Sequence, residues 1–132
     1  MATILPCGPV KSKTYTAVEA MPAANRIVKL TAASTVGLCD AAEKCLGVVK
    51  NEPVITGQAS VVELGETEVY VDATTAIVID DYIFATTDGV GIKCPLTAAT
   101  KYYVIGRAKE AKASGTGTII VDVLPSAVTV PA

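Results

Sequence analysis

Apolar and polar positions alternate with a period of two along several short stretches of this chain. Val69 and Val71 fall between Glu68, Tyr70 and Asp72, and Ile119, Val121 and Val123 oppose Thr118 and Asp122. On an extended backbone that period puts one face in a core and the other against solvent. Such runs recur between turn residues at intervals of roughly ten, the spacing of a sandwich or barrel. Strands are predicted over residues 14–18, 26–30, 37–39, 46–50, 60–64, 68–72, 82–85, 91–94, 102–107 and 118–124. Asp88-Gly89 reads as a hairpin connection between two of them, and Ser114-Gly115-Thr116-Gly117 leads into the last. No segment sustains a helical period, although residues 41–44 and 97–100 each suit one helical turn. The pattern predicts an all-β chain, a compact β-barrel or β-sandwich of short antiparallel strands.

Organisation follows from the turn residues. Residues 1–25 carry Pro6, Pro9, Pro22 and the polar cluster Lys11-Ser12-Lys13, and read as an extended N-terminal arm leading to a single β domain over 26–132. Inside that domain a loose repeat is visible at an offset of 59 residues. Gly47-Val48-Val49-Lys50, Gly57 and Ser60-Val61-Val62-Glu63-Leu64 find counterparts in Gly106-Arg107-Ala108-Lys109, Gly115 and Ile119-Ile120-Val121-Asp122-Val123. Each half reads strand, glycine-containing connection, strand, which predicts a two-part β body. Glu63, Glu66 and Glu68 around Gly65 read as a polar hairpin end between two strands.

Composition narrows the partners. A chain of 132 residues is the size of one domain, and its apolar half is mostly Val, Ile and Ala, without Trp. The formal charge is −2 with basic residues scattered singly, so nucleic acid is not expected as a partner. Apolar runs such as residues 76–79 stop far short of the 18 or more that span a bilayer. No membrane partner is expected, and the N-terminus does not read as a secretory signal, which points to synthesis in the cytoplasm. Reduced, buried thiols are then the expected state of Cys7, Cys39, Cys45 and Cys94. Their spacing does not suit zinc, whose paired ligands sit closer together.

Candidate chemistry is sparse. The chain has no histidine, which removes Ser-His-Asp and Cys-His mechanisms and the commonest metal ligand. Asp80-Asp81 suggests a cation or acid–base site, with Asp72 or Asp88 joining in space, yet neighbours on an extended chain diverge and a solvated turn explains the pair. The pieces Gly89-Val90-Gly91 and Gly115-Thr116-Gly117 lack the lysine and the helix start of a phosphate loop, and read as turns. Cys7 and Cys39 have no neighbouring base to activate them. Tyr102-Tyr103 offers a stacking surface, but one ring in the core and one outside accounts for it. These readings predict no catalytic residues, no cofactor and no metal.

The stretch from Leu46-Gly47-Val48-Val49 through Gly57, Val61-Val62-Glu63-Leu64, Ile105-Gly106 and Gly115 to Ile119-Ile120-Val121-Asp122-Val123 resembles the capsid decoration, or cement, proteins of tailed phages. That resemblance implies a compact β body, a homotrimer, the major capsid protein as partner, and a place on the outside of the virion. The four cysteines and the proline-containing leader depart from it. An extended arm can add a strand to a neighbour's sheet edge, so Thr3, Ile4, Leu5, Thr14, Tyr15, Thr16 and Val18 are the expected capsid or subunit contacts. Two other readings stay open. One is a different virion module, such as a head-fibre base, a tail component or a glycan-binding adhesin. The other is an enzyme with a site at subunit boundaries built on Asp72, Asp80 or Asp81.

Overall fold

The structure, a computed structural model, describes residues 10–41 and 43–131. Its strands are β1 (Lys11–Ala17), β2 (Arg26–Ala32), β3 (Thr35–Leu38), β4 (Gly47–Val49), β5 (Gln58–Asp72), β6 (Tyr82–Ala85), β7 (Gly91–Lys93), β8 (Lys101–Ala108) and β9 (Thr116–Thr129). No α-helix occurs among the described residues, and residues 97–100 form a plain turn. The all-β expectation holds, and the architecture is a barrel.

Two barrels, in fact, are built on one shared strand. The first runs β1-β3-β2-β4-β5 and closes where β1 returns to β5; the second runs β5-β7-β6-β8-β9 and closes where β9 returns to β5. β5 serves both because it is 15 residues long. Its first half pairs with β1 and β4, and from Gly65 onward it pairs with β9. Gly65 takes φ 107, a conformation open to glycine, as the strand passes from one barrel to the next. Residues 60–64 and 68–72 are therefore one strand, which corrects the reading of a hairpin end at Gly65. The glutamates misled because Glu63 and Glu66 are half-buried on the strand and only Glu68 is exposed.

Both barrels repeat one topology. The first and third strands of each are parallel (β1 with β3, β5 with β7), and every other pair is antiparallel. Of the glycines anticipated as equivalent, Gly47 and Gly106 prove alike in their surroundings, whereas Gly57 and Gly115 do not: a Cβ on Gly57 would meet the Val54 carbonyl oxygen at 2.9 Å, and one on Gly115 would meet nothing within 4 Å. A Cβ on Gly47 would sit 2.3 Å from the carbonyl oxygen of Val62, and one on Gly106 would sit 2.0 Å from that of Asp122. At the same step of each barrel the fourth strand crosses the fifth too closely for any side chain.

The core explains the residue types. Tyr15, Ala17, Met21, Val28, Val36, Val49, Ala59 and Val61 fill the first barrel. Val69, Val71, Ile83, Ile105, Ile119, Val121 and Val123 fill the second, joined by Ile27, Cys39, Cys45 and Val48 from the first barrel's outer face. β4 is consequently buried on both faces, and its unbroken Gly-Val-Val run reflects that. The expected hairpin at Asp88-Gly89 is present as a single 3-10 turn, with Asp88 at φ 55 and Gly89 at φ 75.

Candidate interaction surfaces

β1 carries most of the expected contact residues that the structure describes. Thr3, Ile4 and Leu5 lie outside the described residues. β1 is a wall of the first barrel, paired along its length to β5. On its other side it meets β3 only at Thr16 and Ala17, so among the described residues Lys11 to Tyr15 present an unpaired edge. Thr14 and Thr16 point outward, whereas Tyr15 is 6% exposed inside the barrel, where burial and Glu63 push its phenol pKa up. Lys11 and Lys13 flank that edge, a charge pattern that discourages indiscriminate strand pairing.

Val18 belongs to a different feature. The connection between β4 and β5 is stitched to the segment after β1 by Met21 N–H to the Pro53 carbonyl (2.9 Å), Thr56 N–H to that of Ala17 (2.8 Å) and Ala17 N–H to that of Gly57 (2.9 Å). These bonds hold the loop that carries Val54 and Ile55 against Ala17, and Val54, Ile55 and Val18, the next residue after Ala17, are 70%, 60% and 41% exposed. A hydrogen-bonded loop that aims branched apolar side chains at water is a candidate contact surface. Sequence reasoning singled out Val18 and missed its companions. The signal was there, as two branched apolar residues inside the turn Pro53-Val54-Ile55-Thr56-Gly57. A second exposed pair, Leu64 and Leu124, flanks the Gly65–Val123 pairing where the barrels join.

The carboxylates diverge as expected. Asp81 accepts a hydrogen bond from Val78 N–H (2.8 Å) and lies 3.5 Å from Lys93 Nζ, while Asp80 faces Lys109 at 3.9 Å. Among the described residues no three Cys, Asp or Glu side chains converge as metal ligands would. The tyrosine faces are taken by cations: Arg26 lies over Tyr70 at 4.0 Å, Arg107 over Tyr82 at 4.7 Å, Lys101 over Tyr103 at 5.0 Å and Lys13 over Tyr15 at 5.3 Å. Tyr102 meets Phe84 edge-on at 5.5 Å. Tyr102 and Tyr103 are both half-buried, which corrects the expectation of one in and one out.

The connection between β3 and β4 ties the barrels together. Asp88 N–H donates to Asp40 Oδ1 (3.0 Å) and Gly89 N–H to the Cys39 carbonyl (2.8 Å). Glu43 braces that loop, accepting from Asp40 N–H (2.8 Å) and from Lys29 Nζ (2.5 Å). Lys29 and the Asp40 amide hold the Glu43 carboxyl below its ordinary value near 4.5, and Glu43 raises the Lys29 amine. The depressed Glu43 value means its contribution is complete above pH 4.5 and is lost as pH falls through the lower folded value. Thermal melting between pH 5 and 3 should accordingly show a drop in Tm that Glu43→Gln flattens.

Comparison with known proteins places the fold. No protein-family model and no curated protein matches the chain. Among solved structures it is similar to the head fiber gp8.5 N base of bacteriophage phi29, with a TM-score of 0.57 over 88% of this chain and 98% of that one. Its fold is shared with a phage head-fibre base. Sequence identity is 17%, so the likeness is one of backbone architecture.

Proposed function

We propose that this chain is a structural protein of a tailed-phage virion that binds the outside of the head as a homotrimeric decoration protein, with the major capsid protein as its partner. The observation that carries this reading is a backbone shared over nearly its whole length with a protein named as a head fibre base. The rest of the chain fits the role. Cementing a shell asks for a rigid body and repeated contacts rather than chemistry, and a chain without histidine built as two closed barrels supplies the former. Contacts come from the Val18, Val54 and Ile55 tip and from the open edge of β1, through which main-chain hydrogen bonds add affinity. Three copies multiply weak contacts into avidity. Synthesis in the host cytoplasm and assembly onto the shell follow from the same role.

The shared fold favours a second reading equally: the base that seats a fibre on the head. Both are virion modules and differ in what they carry. Native mass spectrometry of the purified protein, followed by counting of copies per reconstituted head, separates them. Decoration predicts a trimer and occupancy over the whole shell; a fibre base predicts occupancy at a small set of sites. A monomer that leaves heads bare contradicts both.

A further inference from the structure

Cys39 follows the end of β3 and Cys45 precedes β4 by two residues, and their sulfurs meet at 4.0 Å. They need to approach by about 2 Å to reach the S–S bond length of about 2.05 Å. Cys39 is 0% exposed and Cys45 6%, so the pair sits in the second barrel's core cluster beneath the loop that joins the barrels. Cys39 Sγ lies 3.6 Å from the carbonyl oxygens of Asp40 and Glu43, and Cys45 Sγ lies 3.8 Å from that of Tyr103. A cleft of about 410 Å³ opens on this site, lined by Lys44, Cys45, Lys101, Tyr103 and Ser126. It leads to Cys45, and two lysines give it a positive lining suited to an anionic reagent.

We propose that Cys39 and Cys45 form a redox-modifiable pair that closes to a disulfide when the protein passes from a reducing compartment to an oxidising one. The oxidant is a small acidic disulfide of the glutathione class. Cys45 is the attacking thiol: the Cys39 S–H donated to it lowers its pKa, while that hydrogen bond and burial raise Cys39. Cys45 thiolate attacks one sulfur of the oxidant, whose S–S bond breaks, and the departing thiolate takes up the proton that Cys45 released. Cys39 then loses its proton and attacks the Cys45 sulfur of the mixed disulfide, expelling the second small thiolate, which takes that proton. Two electrons pass from the protein to the oxidant, which ends as two thiols. The product clips β3 to β4 and fixes the loop that bonds to Asp88 and Gly89 of the other barrel.

The test treats the full-length protein with excess oxidised glutathione, alkylates the remaining thiols and maps the peptides by mass. The expected result is a loss of two free thiols, a Cys39–Cys45 cross-linked peptide and a rise in Tm of about 5 °C, absent in Cys45→Ser. Cys39→Ser should instead stall as a mixed disulfide on Cys45. The proposal is overturned if all thiols stay free, if Cys45 pairs with Cys7 or Cys94, if wild type keeps glutathione on Cys45 without closing, or if Cys39→Ser takes up none.

Discussion

Gly106→Ala is expected to lower stability by about 3 kcal/mol or more and Tm by about 10 °C or more. The added carbon would stand 2.0 Å from the Asp122 carbonyl oxygen and 3.1 Å from Val123 Cα, and neither neighbour is a flexible side-chain end that can swing away. β8 and β9 would have to separate at the Gly106–Val123 pairing, where Ile105 and Val123 both belong to the second barrel's core. Gly47→Ala meets the Val62 carbonyl oxygen at 2.3 Å and should behave alike, as the repeated topology requires. Gly115→Ala is the control. Nothing lies within 4 Å of its added carbon, but φ +76 suits glycine, so the cost is about 1 kcal/mol. Chemical denaturation of the three variants, followed by tyrosine fluorescence and circular dichroism, reads these values directly.

Those glycines also show how far the sequence can be read. The equivalence of Gly47 and Gly106 was legible because each is followed by a glycine-containing connection and then a second β-prone run, at an offset of 59 residues. Most strand positions were legible as such runs, and residues 82–85 match β6 to the residue. What stayed hidden was how hydrogen bonds are shared. Nothing in Glu63-Leu64-Gly65-Glu66 distinguishes a strand that ends from a strand that changes partners, because both want a glycine and tolerate charge. The residues of β1 read as an arm because lysine and serine cover its exposed half, although Tyr15 and Ala17 anchor it in the first barrel's core. The candidate contact surface was half legible: Val18 sits at the end of a strand-like run, while the loop of Val54 and Ile55 is held to Ala17 and Met21 through backbone bonds that no local pattern encodes.

Replacing both Val54 and Ile55 by aspartate should weaken binding to heads more than 100-fold while leaving Tm within a few degrees of wild type. These side chains are 70% and 60% exposed, so the fold gains little from them. In an interface they become desolvated anchors, and truncating such anchors commonly costs about 2 kcal/mol or more each. Buried, unpaired carboxylates would cost more still. Leu64→Asp and Leu124→Asp probe the other exposed pair in the same way. A matching loss at that site, with Val54 and Ile55 tolerant, would move the contact surface to the junction of the barrels. Retained thermal stability separates a lost contact from a lost fold.

Binding to the outside of a phage head is the property on which the proposed function rests. Its most direct test is co-sedimentation of the purified protein with heads assembled without it. Saturable binding that raises the temperature at which those heads release their DNA is the predicted result; protein that stays in the supernatant at every concentration, with heads no more stable than before, would contradict it.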